Sequence, residues 1–271
     1  MVVSRALTAQ NVTESRWRIG VGAGIGVPSG WVEVRERAIE GTRLHFRHDL
    51  GVVRDRLFDL RVEYSPRPDD GFGLGISSWT LRGAMTLPGN VTFNGTTLAA
   101  GHTLTTRTGF PDFVRIDLEG WRRLSTLGGR ASLAGSLGLT AVLLTFRMSG
   151  TETPNSVGHE TKEDFVTQEL PVPIVGIRLR YPVGSRVALS ASFSGGYLPW
   201  VNSLRREGGE VRITQGHIDM DVGADVTIAP TLHVLSGLRV SDFTQREKSR
   251  EDGNDIHLSS TLLVVGVVHG F

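Results

Sequence analysis

An alternation of apolar and polar residues with a period of two recurs along nearly the whole chain, which is the pattern of β-strands with unlike faces. In the first such segment Trp17, Ile19, Val21, Ala23 and Ile25 share one face and Arg18, Gly20, Gly22, Gly24 and Gly26 the other. Phe58, Leu60, Val62 and Tyr64 alternate with Asp59, Arg61 and Glu63, and Val114, Ile116 and Leu118 with Arg115, Asp117 and Glu119. Between His217 and Ile228 the even positions Ile218, Met220, Val222, Ala224, Val226 and Ile228 are apolar, while the odd ones include His217, Asp219, Asp221 and Asp225. A soluble sandwich alternates too, but its polar face carries long solvated side chains. Here the polar faces mix charges with small residues, as in Ser132, Ala134, Ser136, Gly138, Thr140 and in Ser190, Ser192, Ser194, Gly196. Small residues suit the crowded inside of a narrow barrel, so the apolar faces are expected outside, against lipid.

Composition agrees by exclusion. The chain has 271 residues, no cysteine and a formal net charge of +1. That rules out a disulfide scaffold, a thiolate zinc site and a Cys nucleophile, and argues against an electrostatic nucleic-acid binder. No run of 18 apolar residues marks a membrane-spanning helix. Spanning strands need only about 10 alternating residues each, so a barrel remains open. Residues 1–15 lack an apolar stretch but carry Ala6 and Ala9; they read as a disordered N-terminus or a signal-peptide remnant.

Connections give the topology. Short ones are expected around Pro66–Gly71, Ser125–Gly129, Pro182–Ser185 and Ala229–Thr231, and long ones over Val27–Arg54, Asn94–Gly101, Met148–Phe165, Asn202–Gly209 and Arg246–Asp255. Short and long alternate, as periplasmic turns and extracellular loops do in outer-membrane barrels with both termini periplasmic. The series predicts an all-β fold over residues 16–271: one antiparallel transmembrane β-barrel of ten strands, with eight or twelve as alternatives. Val32–Arg35 and Leu44–Phe46 form an extra hairpin or extend the first two strands above the membrane. Trp17, Tyr64, Phe72 and Tyr181 fall at the turn ends on apolar faces, as an interfacial girdle requires. Trp121 falls at the same height on the wrong face, while Phe146, Tyr197, Trp200 and Phe243 fall near the opposite rim. The chain ends on Phe271, preceded in twos by His269, Val267, Val265 and Leu263. This resembles the C-terminal strand that outer-membrane barrels present to the insertion machinery, and Phe271 is its assembly signal.

Two short motifs carry a more particular likeness. Gly41-Thr42-Arg43-Leu44-His45-Phe46, with Asp49-Leu50-Gly51 after it, is similar to a segment that follows the first strand in an uncharacterised porin-like outer-membrane β-barrel family of Gram-negative bacteria. Val91-Thr92-Phe93-Asn94-Gly95-Thr96-Thr97-Leu98, with Ala100-Gly101, resembles that family's loop between its third and fourth strands. The resemblance implies location in the outer membrane rather than an activity. Where the family carries an acidic run near Asp49, this chain has Arg47 and His48, so a shared cation site loses support.

Chemistry-bearing residues point inward. Asp59, Glu63, Asp117, Glu119, Asp219, Asp221 and Asp225 face Arg61, Arg115, Arg178, Arg180 and Arg239 across the expected lumen, and His217 lies on the same face; a charge buried there is tolerable only when paired or wet. Asn94-Gly95 supplies the positive-φ pair of a tight hairpin turn. The Gly20–Gly26 run lacks a G-K-[ST] and a following helix, so it is no phosphate loop. No Gly-x-Ser-x-Gly elbow is present. Neighbouring His48 and Asp49 would point to opposite faces of a strand, so an omptin-like enzyme is the minor alternative and the chain is expected not to be an enzyme, with no catalytic residues, metal or cofactor. Basic residues at Leu204–Arg206 and Arg246–Arg250 are solvated loop tips or contacts to lipopolysaccharide phosphates. The expected function is a porin-like channel or narrow pathway for small solutes or ions, or alternatively a non-conducting structural or interaction barrel acting through its extracellular loops. Expected partners are outer-membrane lipid, lipopolysaccharide and the barrel-insertion machinery, with no nucleic acid.

Overall fold

The computed structural model describes residues 16–128, 130–153, 156–167, 170–203, 210–250 and 252–271. The N-terminal segment 1–15 and the Leu204–Arg206 tip lie outside them. The elements in chain order are β1 (Trp17–Glu36), β2 (Leu44–His45), β3 (Asp55–Arg67), β4 (Asp70–Thr86), β5 (Val91–Phe93), β6 (Thr96–Leu98), β7 (Thr103–Thr108) and β8 (Phe113–Leu127). They continue as β9 (Ala131–Thr151), β10 (Gly158–Thr167), β11 (Val172–Pro182), β12 (Val187–Asn202), β13 (Arg212–Ala229), β14 (Leu232–Lys248) and β15 (Asp252–Gly270).

Antiparallel pairing runs β1–β3–β4–β8–β9–β11–β12–β13–β14–β15, and β15 returns to β1 over a register from Arg18↔Gly270 to Glu36↔Asp252. The wall is therefore a closed ring of ten strands without an edge, so its strands pair on both sides in a medium that offers no water. At the end that carries Trp17 and Phe271 the connections are tight, as between Arg67 and Asp70 and between Ala229 and Leu232. At the opposite end three short pieces continue the wall: β2 pairs with β1 beyond β3, β7 fits between β4 and β9 beyond β8, and β10 pairs with β9 beyond β11.

The expected long loops are in part strand. β1 runs on through Val32–Arg35, and Leu44 pairs with Val32. β14 reaches Lys248 and β15 starts at Asp252, so little loop remains where Arg246–Asp255 was expected. Asn94 and Gly95, at φ 48 and 70, turn the β5–β6 hairpin inside the Asn94–Gly101 stretch. The physical reason is length: β1, β9 and β15 have 20, 21 and 19 residues, about twice what a tilted strand needs to cross hydrocarbon.

The two halves of this tall wall are built on opposite rules. Near the termini the outward side chains are apolar, from Trp17 through Ile19, Val21 and Ile25 to Val27 on β1 and over Leu263, Val265 and Val267 on β15, all exposed. At about 3.3 Å per residue and a tilt of about 40°, the stretch from Trp17 to Val27 rises about 25 Å, the height of a barrel's lipid belt. Farther along the same strands the parity inverts. Val32 and Val34 on β1, Val142, Leu144, Phe146 and Met148 on β9, and Ile256, Leu258 and Leu262 on β15 turn inward and are buried. The outward positions there carry Glu33, Arg43, Asp242 and His257 instead. Such outward charges are costly in hydrocarbon, so this half stands clear of the lipid.

Candidate functional site: a charged lumen beneath an apolar core

In the lower half of the ring, inward-facing Gly20, Gly22, Gly75, Gly138 and the serines Ser132, Ser136, Ser190 and Ser192 leave a cavity of about 500 Å³. Small residues clear this space because ten strands alone enclose little more than their own side chains. Around it stand all the acids and bases expected there. Arg61 bonds Glu63 and Glu119, each at 2.8 Å. Arg178 pairs with Glu119 and lies 3.6 Å from Glu63, with its guanidinium 4.7 Å above the Trp121 ring. Arg115 holds Asp117 at 2.8 Å and Asp219 at 2.7 Å. Arg239 spans the lumen from Asp221 at 2.6 Å to Asp59 at 3.3 Å. Arg180 reaches Asp225 at 3.1 Å.

Two members escaped sequence reading as partners. Arg18 approaches Glu63 to 3.9 Å, and His233 Nδ1 lies 2.9 Å from Asp225. Their positions on inward faces were legible, but pairing across the ring depends on stagger, which no single strand reports. Trp121, which falls on the wrong face for a girdle, is an inner-wall residue: a Cβ on Gly71 would sit 2.1 Å from its ring, so glycine there makes room for the indole. Each of the seven expected carboxylates has a guanidinium partner, which leaves none for a cation. Among the described residues no group of three or more His, Asp or Glu side chains is arranged to hold a metal ion.

His217 departs from the expected network. It is buried against Phe243, ring centroids 5.1 Å apart, and its Nε2 finds no hydrogen-bond partner among the described residues. It sits on the inward face of β13 above Asp219, where the parity inversion replaces charge with apolar side chains. Phe146 and Phe243, expected near the rim, are likewise buried inside. They belong to a core that fills the upper half of the ring: Trp79 stacks on Phe113 at 5.3 Å, and Phe146 meets Phe46 at 6.0 Å and Phe93 at 6.2 Å. Leu44, Phe46, Leu50 and Val52 from the β1–β3 connection join it. Sequence reading placed Leu50 and Val52 in a loop and Leu44–Phe46 in a hairpin or strand extension, and expected a polar interior throughout; the inverted parity along β9 was the signal that would have found the core.

The remaining candidates are at the wall. Trp17, Phe72, Tyr181 and Tyr197 are exposed, and Tyr64 packs on Trp17 with centroids 4.7 Å apart. Trp200 is half-buried, with Lys248 Nζ 5.3 Å and Arg212 Cζ 5.9 Å from its ring. Phe271 is exposed beside His269, at 4.9 Å, and its N–H donates to the Trp17 carbonyl at 2.9 Å. Asp49 accepts from the backbone N–H of His45 at 2.7 Å, so its carboxylate braces a turn rather than facing His48.

No protein-family model and no curated protein matches the chain. Among solved structures, the outer membrane protease OmpT from Escherichia coli is similar over 94% of this chain and 97% of its own, at 14% identity and a TM-score of 0.54. This chain has the outer-membrane β-barrel fold. The translocator domain of the autotransporter NalP from Neisseria meningitidis covers 94% of this chain and 89% of its own at 13% identity, with a TM-score of 0.39. The toluene transporter TodX from P. putida covers 94% and 90% at 10% identity and a TM-score of 0.34. The expectation that the chain is no enzyme is corrected by the first of these: a barrel of this plan is a protease, so the architecture offers no ground for excluding catalysis.

Proposed function

We propose that this chain is a non-conducting outer-membrane barrel, with its termini in the periplasm, whose work is done by the tall storey standing above the lipid. One observation carries the reading: the charged cavity ends beneath a packed core of Phe46, Phe93, Phe146, Trp79 and Phe113. A porin-like pathway needs a continuous wet route, and closely packed aromatics leave none for a hydrated ion. The paired charges below then brace the wall, because an ion in a confined interior is tolerable only with its partner. Trp17, Tyr64, Phe72 and Tyr181 anchor the terminal end at the headgroups and Tyr197 and Trp200 the other, while Phe271 serves assembly through the insertion machinery. Outward bases such as Arg43 and Arg246 suit lipopolysaccharide phosphates. Planar-bilayer recording tests the proposal. Refolded barrel, confirmed by heat-modifiable gel migration, is expected to give no unitary conductance in potassium or sodium salts. Steady unitary steps from the parent chain would overturn it in favour of the porin-like pathway.

A further inference from the structure

Where the lumen opens toward the terminal end, a second cavity of about 280 Å³ adjoins the first and shares Ser132 and Arg180 with it. Its lining contains four arginines, Arg123, Arg130, Arg180 and Arg186, hydroxyls including Ser132 and Thr227, and no carboxylate. That composition is the reverse of the lumen above, where every arginine faces acids. Two of the four are already engaged: Arg123 with Asp69 at 2.8 Å and Arg180 with Asp225 at 3.1 Å. Arg130 and Arg186, on the turns before β9 and β12, have no carboxylate partner among the described residues.

We propose that this mouth is a binding site for a phosphate-bearing anion. Guanidinium forks bind phosphate oxygens bidentately, hydroxyls supply further donors, and Arg130 and Arg186 lack the carboxylate partner that neutralises the other lumenal arginines. The turns before β9 and β12 bring Arg130 and Arg186 into the lining of one cavity. A phosphate free in solution and one carried by a lipid headgroup present the same recognition chemistry, and the two arms of the test separate them. The proposal stands whether or not the barrel conducts.

The test uses the full chain. Calorimetric titration with inorganic pyrophosphate in a neutral detergent is one arm, and retention of phosphatidylglycerol over phosphatidylcholine by native mass spectrometry of barrel from mixed-lipid nanodiscs is the other. Binding in the first assigns a soluble anion and in the second a headgroup. In either arm the Arg130→Gln/Arg186→Gln double variant is expected to bind at least tenfold more weakly. Arg67→Gln, at an arginine paired with Asp70 on the β3–β4 turn and outside the cavity lining, is expected to match the parent. Heat-modifiable migration of both variants checks that the barrel is intact. Absence of binding in both arms, or an intact double variant that binds like the parent, or an equal loss in Arg67→Gln, overturns the site.

Discussion

Thr42 and Thr92 exchange two hydrogen bonds: the Thr42 N–H donates to the Thr92 carbonyl at 2.7 Å, and the Thr92 N–H to Thr42 Oγ1 at 2.9 Å. They belong to the two motifs that resemble a porin-like family, and the structure joins those motifs across fifty residues of chain. Leu44, Phe46 and Leu50 from one motif and Val91, Phe93 and Leu98 from the other lie in the same buried core. The two motifs therefore meet in the packing that caps the interior.

The joint gives a graded prediction. Thr42→Val removes one acceptor and is expected to cost about 1 kcal/mol. Gly51→Ala is expected to cost more, because Gly51 has φ +64 and a Cβ there would sit 2.3 Å from the Ala84 carbonyl oxygen. Thermal unfolding of the two variants in detergent checks the order; equal stability would mean the cap is not tightly seated.

Arg178→Ala strands Glu63 and Glu119 with fewer partners and removes the cation above Trp121. A cavity of about 500 Å³ borders this cluster, so the loss is expected to be about 2 kcal/mol rather than that of a dry, closely packed pair. A lowered temperature for heat-modified gel migration is the readout. A variant as stable as its parent would remove the brace assigned to this network.

His217 predicts the opposite sign. Its Nε2 is buried without a partner beside Phe243, so His217→Leu removes an unsatisfied polar atom and is expected to leave stability unchanged or raise it. Chemical unfolding of the variant measures this, and a clear loss would assign the imidazole a partner in the working protein.

Depth in the membrane can be read with arginine. Val21→Arg faces mid-belt lipid and is expected to cost about 2–4 kcal/mol, whereas Ser29→Arg, outward but above the belt, is expected to cost about 0–1 kcal/mol. Folding titrations into vesicles compare the two; similar costs would displace the lipid boundary drawn at Val27.

The lower storey was legible because its rule is local: Trp17 to Ile25 declare their face by alternation alone, and Asp219 and Asp221 declare theirs in the same way. The upper storey obeys the same period with the parity reversed. On β9, Leu137 and Leu139 point out while Val142, Leu144 and Phe146 point in, with no irregularity in the pairing of β8 and β9 over those residues. Reading for a single greasy side stops at that switch, which is why Val32–Arg35 read as a hairpin or as an extension of β1, of which the structure shows the extension, and why the strand ends near Lys248 looked like loop. Pairings such as Arg239 with Asp59 could not be read from sequence, because they depend on which strands stand opposite after closure. The four arginines at the mouth were individually visible but gathered only by the turns between β8 and β9 and between β11 and β12.

A wall whose oily side passes from outside to inside along its own height has a waterline. Lifting the barrel by two residues would draw Phe58 and Ile25 toward water, and lowering it by two would press Ser29 into hydrocarbon. Each strand carries its own mark, and the ring ties the marks together, so they cannot shift one at a time. In a bilayer thinner or thicker than the mark allows, the lipids rather than the protein must adjust. Rotation about the barrel axis would leave that draught unchanged.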